Sequence, residues 1–73
     1  MTKKDKDIKQ VTGTVVEAYP EARFKIEVDE DGSEMQAYLA GKMRKFRIKV
    51  LLGDRVVVEV DPYSGKGRII RRL

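Results

Sequence analysis

Phe24, Ile26 and Val28 alternate strictly with Arg23, Lys25, Glu27 and Asp29. A period of two sends successive side chains to opposite faces, so this segment fits a strand with one buried face and one wet face. The same reasoning runs along the chain. Val11 to Val16 is rich in β-branched residues, with Gly13 marking a bulge or bend. Pro20-Glu21-Ala22 reads as a turn. Asp31-Gly32 is the tight pair of a hairpin, followed by Met35, Ala37 and Leu39 facing inward and Glu34, Gln36 and Tyr38 facing outward. Residues 41–47 can form one or two helical turns, because Gly41 ends the strand and Lys, Met and Arg are good helix formers. After a Gly53-Asp54 turn, Arg55 to Val60 directs Val56, Val58 and Val60 inward. A loop over residues 61–65 leads to a last strand, Gly67 to Arg72, carrying Ile69 and Ile70.

Three strands, a short helix and two more strands would leave open sheet edges in a flat arrangement, and closure into a barrel removes them. The expected fold class is therefore all-β: a five-stranded antiparallel oligonucleotide-binding (OB) barrel with a short helix between strands 3 and 4. Strand count alone leaves an SH3-like barrel open. The 73 residues make one domain, expected as a flexible charged N-terminal arm over residues 1–9 and a single barrel over residues 10–73.

Composition removes several functions. The chain has no His and no Cys, so it lacks the commonest general base, the commonest metal ligand and any disulfide or thiolate site. No catalytic residue, metal site or cofactor is expected. Asp29, Glu30, Asp31 and Glu34 read as a solvated hairpin tip rather than a cation site. Ser64-Gly65-Lys66-Gly67 fails as a phosphate-binding loop, because Gly67 stands where Ser or Thr is required. The charged start of the chain lacks the apolar stretch of a signal peptide, and no apolar run approaches the length of a membrane span. A cytoplasmic protein, without membrane association and monomeric when free, is expected.

Charge is unevenly spread. Residues 41–55 carry six cations against Asp54 alone, and residues 65–73 add four cations and no acid. Clustered cations attract polyanions and speed their capture. Lys42, Arg44, Lys45, Arg47 and Lys49 must project outward, since unpaired buried charge is too unfavourable. Met43 and Phe46 stand at i and i+3 of one turn, a spacing that more often packs a shared face inward than meets a base. Arg23 and Lys25 form the outward row of strand 2, beside Tyr38 on strand 3; in OB barrels these strands commonly carry nucleic acid. An outward Tyr offers a base a stacking platform. Tyr63, Lys66, Arg68 and Arg71 extend the same surface. The candidate RNA-binding set is thus Arg23, Lys25, Tyr38, Lys42, Met43, Arg44, Lys45, Phe46, Arg47, Lys49, Tyr63, Lys66, Arg68 and Arg71.

Six short segments carry a family resemblance. They are Gly13-Thr14-Val15, Phe24-Lys25-Ile26-Glu27-Val28 after a Pro turn, Gly41-Lys42-Met43-Arg44-Lys45, Leu52-Gly53-Asp54-Arg55-Val56, Pro62-Tyr63 and Lys66-Gly67-Arg68-Ile69. In order and spacing, from about residue 8 to 72, the chain resembles bacterial translation initiation factor one, of the S1-like OB-fold family. The resemblance implies a non-enzymatic factor in the A site of the small (30S) ribosomal subunit. It implies contacts with the decoding region of 16S-type rRNA and with a neighbouring ribosomal protein, cooperation with initiation factors two and three, a block on premature tRNA access, and help in selecting initiator tRNA. Lys42, Met43, Arg44 and Lys45 match the family's basic connector, and Arg68 matches an RNA contact. Lys49 falls where members often place Arg, which keeps the charge but loses the planar fork. Tyr38 falls where some members carry His. Two other readings use the same residues: a cold-shock-type RNA chaperone, which relies on more exposed aromatics than this chain has, and a protein-interaction module on an SH3-like barrel.

Overall fold

Strand β1, Lys9–Tyr19, is long enough to pair along both of its edges. Its first half runs antiparallel to β4 (Arg55–Val60), and its second half runs antiparallel to β2 (Arg23–Val28). Adding β3 (Glu34–Leu39) and β5 (Gly67–Arg72) gives a closed ring in the order β1-β2-β3-β5-β4. Helix α1, Gly41–Lys45, lies between β3 and β4. The computed structural model describes residues 9–61, 63 and 65–73. The expected arm falls almost entirely outside the described residues, and Lys9, its last residue, already belongs to β1.

One expectation is corrected. The sheet is not antiparallel throughout, because β3 and β5 pair in parallel, with Ala37 opposite Gly67 and Leu39 opposite Ile69. Closure explains it: around a ring of five strands, directions cannot alternate at every step, so one neighbouring pair must run the same way. The parallel pair, the strand order and the helix after β3 fit the OB barrel.

Closure also requires β1 to bend. The bulge falls at Val16, where the register with β2 jumps from Val15–Ile26 to Glu17–Lys25. It does not fall at Gly13, which has a different role. Gly13 pairs with Val28 on one side and Val56 on the other, and a Cβ there would lie 2.6 Å from the Glu27 carbonyl oxygen and 2.6 Å from the Ile26 side chain. Only a residue without a side chain lets the two strands approach this closely. The β2–β3 hairpin turns at Gly32 with φ 72°, as its Asp-Gly sequence requires.

The core follows the alternation. Val15, Phe24, Ile26, Ala37, Val56, Val58 and Ile69 form one buried cluster together with Met43 and Val50. Val60, expected inward, is half-buried. Val57 breaks the pattern: it is 5% exposed but lies outside that cluster, flanked in register by Thr12 and Arg71. The neighbouring register shift inserts Ile70 as an extra residue in β5. Asp29 joins three segments at one end of the barrel. Its carboxylate accepts from the Thr12 hydroxyl at 2.9 Å and pairs with Arg55, while its backbone N–H donates to the Thr12 carbonyl at 3.0 Å.

Because the site facing Gly13 is filled by backbone, Gly13→Ala should destabilise the protein by about 1–3 kcal/mol, the usual range for overpacking. A thermal melt should show the midpoint falling by roughly 4–8 °C per kcal/mol; an unchanged midpoint would refute the close-approach account.

Candidate nucleic-acid interface

Helix α1 has five residues, far too few to be stable by itself. Met43 holds it, being 2% exposed and part of the barrel core. This corrects two expectations. Met43 cannot serve as an RNA contact, because its side chain is committed to the core. Nor do Met43 and Phe46 share a fate: Phe46 is 63% exposed. Phe46 is the C-cap, with φ −92° and ψ 8°, and its N–H still donates to the Lys42 carbonyl at 3.1 Å. Residues three apart differ by about 60° around a helix axis, and the core covers only the Met43 side of that sector.

The exit is a Schellman motif. The Ile48 N–H donates to the Met43 carbonyl at 2.9 Å, and the Arg47 N–H donates to the Arg44 carbonyl at 3.2 Å. Arg47 takes the left-handed position, with φ 54°, where Gly is usual. Beyond it, the connector is secured by Val50 in the core, by the Leu51 N–H donating to the Asp54 carboxylate at 2.8 Å, and by Arg72 donating to the Lys49 carbonyl at 3.0 Å.

With Met43 inward, Lys42, Arg44, Lys45, Arg47 and Lys49 are all exposed. Among the described residues, none of them has a carboxylate within ion-pair distance, and neither does Arg71. The Lys45 ammonium lies 5.8 Å from the centre of the Phe46 ring.

The outward row of β2 is different. Lys25 sits between Glu17 at 3.3 Å and Glu34 at 3.7 Å. Hydrogen bonds from Tyr19 and then Lys25, with the Lys25 charge, hold the Glu17 carboxyl below its ordinary range. Lys25 is pushed up in turn, chiefly by its hydrogen bond to Glu17. Arg23 pairs with Glu21 at 3.7 Å, and Arg68 with Glu59 at 2.6 Å. Arg68 is raised above its ordinary value mainly by that Glu59 hydrogen bond. These three cations, expected as open contacts, are already partnered. Glu21 is two residues from Arg23 in the turn before β2, whereas the strand register brings Glu17 beside Lys25 and Glu59 beside Arg68.

Two clefts flank α1. One, of 640 Å³, is lined by Arg44 with Tyr38, Arg23, Gln36, Glu21 and Lys66. Tyr38 is half-exposed there, opposite Arg23 on β2 and Arg68 on β5. The other, of 530 Å³, holds Lys42, Arg68, Arg71, Glu59 and Gln10 beside the start of the helix. Tyr63 is 87% exposed, with its backbone N–H on the Asp61 carboxylate at 2.8 Å. Arg72 was not among the expected residues, and its place beside Lys49 has no local sequence signal. No cluster of potential metal ligands occurs among the described residues, and no helix among them is long and apolar enough to cross a membrane.

Fold and surface define a class: a small OB barrel that presents unpaired cations on a short helix and connector, a design suited to polyanions. Comparison with known proteins narrows it. A model of the family described as translation initiation factor 1A / IF-1 matches residues 1–73. Translation initiation factor IF-1 of Rickettsia bellii is 51% identical over 67 residues, covering 90% of each chain. Its counterpart from Rhodopseudomonas palustris is 53% identical over 64 residues, covering 86% of this chain and 68% of that one. The solution structure of the same initiation factor from the Wolbachia endosymbiont of Brugia malayi superposes with a TM-score of 0.77 at 39% identity, covering 97% of this chain and 84% of that one. The chain belongs to the translation initiation factor 1A / IF-1 family. Its role is in translation initiation, in association with the ribosome, and it is a non-enzymatic factor.

Removing the Lys25 charge should release Glu17. In Lys25→Met, the Glu17 carboxyl should titrate at higher pH than in wild type, read by side-chain carbonyl NMR. In wild type the Glu17 contribution is present above its unfolded pKa and is lost as pH falls through the depressed folded value. An identical titration in both proteins would contradict the pairing.

Proposed function

We propose that this chain occupies the A site of the small ribosomal subunit and contacts the decoding region of 16S-type rRNA. The carrying observation is the set of exposed cations on α1 and the connector, which have no carboxylate partner among the described residues and are raised above the barrel by the burial of Met43. The cations locate phosphates, while Tyr38 and Phe46 offer rings to bases. Bound there, the barrel blocks premature tRNA access by occupying the volume the tRNA would fill. It cooperates with initiation factors two and three in selecting initiator tRNA, and a neighbouring ribosomal protein borders the same site. The protein works in the cytoplasm as a monomer when free, without membrane association.

Tyr63, Lys66 and Arg71 belong to the outer part of this interface. Arg23, Lys25 and Arg68 contribute less than their charge suggests, because each must give up or share a carboxylate partner.

The test is sedimentation with purified small subunits in the presence of excess single-stranded RNA. Saturable binding near one per subunit that resists the competitor supports the reading. Binding abolished by competitor indicates a general single-strand chaperone, and no binding indicates a protein-interaction module. Arg44→Ala should weaken subunit binding by about tenfold, with the salt slope falling by roughly one phosphate contact and the melting midpoint unchanged. Collapse of the midpoint would assign Arg44 to the fold instead.

A further inference from the structure

The corner where α1 ends combines two features that neither packing nor stability explains. Arg47 holds a left-handed backbone, φ 54°, at the position of the Schellman motif where Gly is the unstrained choice. Its side chain is exposed and has no acidic partner among the described residues. The left-handed turn closes the helix, but Gly would close it without strain, so an Arg at this exposed position points towards a use elsewhere. Beside it, Phe46 exposes most of its ring, with the Lys45 ammonium 5.8 Å from the ring centre. A cation over an aromatic face favours a ring that stays in place while its remaining surface is open.

We propose that Phe46 and Arg47 form a one-nucleotide site, in which an unstacked base lies on the open Phe46 ring and its phosphate meets the Arg47 guanidinium, and that the left-handed strain at Arg47 is retained for this contact. The inference rests on the small-subunit RNA reading above. An aromatic surface takes any base through stacking, and a neighbouring guanidinium supplies the charge that the base lacks. Phe46 and Arg47 are adjacent in sequence, and the Schellman hydrogen bonds fix the backbone between them. The backbone that carries both side chains is therefore fixed before the ligand arrives.

The experiment compares wild type, Phe46→Leu, Arg47→Gly, Arg47→Asn and Arg44→Ala by thermal melting and by binding to purified small subunits across a salt series. Arg47→Gly should raise the melting midpoint by roughly 4–8 °C, as relief of about one residue's strain implies, yet weaken binding and lower the salt slope by about 0.7–0.9. Arg47→Asn tolerates the left-handed backbone without Gly's looseness, and should lose binding to a similar degree. Phe46→Leu keeps an apolar side chain but removes the ring, and should weaken binding about 5- to 150-fold, the range for one stacked base, with the salt slope unchanged. Base-modification probing of the bound subunit should show one unpaired base whose protection disappears in Phe46→Leu and persists in Arg44→Ala at saturation. The proposal is overturned if Arg47→Gly fails to raise the midpoint, or if Phe46→Leu and Arg47→Gly bind like wild type while Arg44→Ala does not. It is also overturned if Phe46→Leu weakens binding without any base losing protection, since Phe46 then faces a protein. If wild type itself fails to bind, the small-subunit reading falls, and this site with it.

Discussion

The burial of Met43 organises the functional surface. A five-residue helix has no stability of its own, and no side chain caps its N-terminus. One thioether in the barrel core, worth about 1.5–3 kcal/mol of burial, fixes which way the helix faces. Once Met43 points in, Lys42, Arg44 and Lys45 have only solvent to face. Val50 then repeats the anchoring at the far end of the connector. Arg47, Ile48 and Lys49 lie between two buried pins, so the cations are presented on a fixed segment rather than on a loose loop.

The remainder of the barrel serves the same end. Gly13 lets β1 approach β2 closely at a point where it also pairs with β4, and Asp29 ties Thr12 to Arg55 where these strands meet. Closure in turn creates the pocket that Met43 fills. Carboxylates from neighbouring strands and turns neutralise Arg23, Lys25 and Arg68. The outward β2 row thus has mixed sign, and the uncompensated field is concentrated on α1 and the connector. A polyanion approaching the molecule meets one positive ridge.

Most of the fold was legible in the sequence. Strict alternation over residues 23–29 located β2, the Asp31-Gly32 turn located the hairpin, and Gly41 marked the end of β3. What escaped was non-local. The parallel β3–β5 pair follows from ring closure, which no single segment reveals. The bulge fell at Val16 rather than Gly13, because bulge placement depends on register with β2. Within the site, the cation ridge was visible as a charge run. The opposite fates of Met43 and Phe46 were not, since residues at i and i+3 are about 60° apart around the axis and spacing does not say how wide a sector the core covers. The partners of Lys25 and Arg68 were equally hidden, lying on strands whose register is set only in three dimensions. Family resemblance supplied the biological setting, which periodicity and charge could not.

In the proposed role, Lys42, Arg44, Lys45, Arg47 and Lys49, which have no carboxylate partner among the described residues, carry recognition of a phosphate-rich surface. The most direct measurement is the affinity of the wild-type protein for purified small subunits as a function of salt. Five phosphate contacts predict a log–log slope of about −3.5 to −4.5. A slope shallower than about −1 would mean that fewer than two phosphates are neutralised, and would contradict the account.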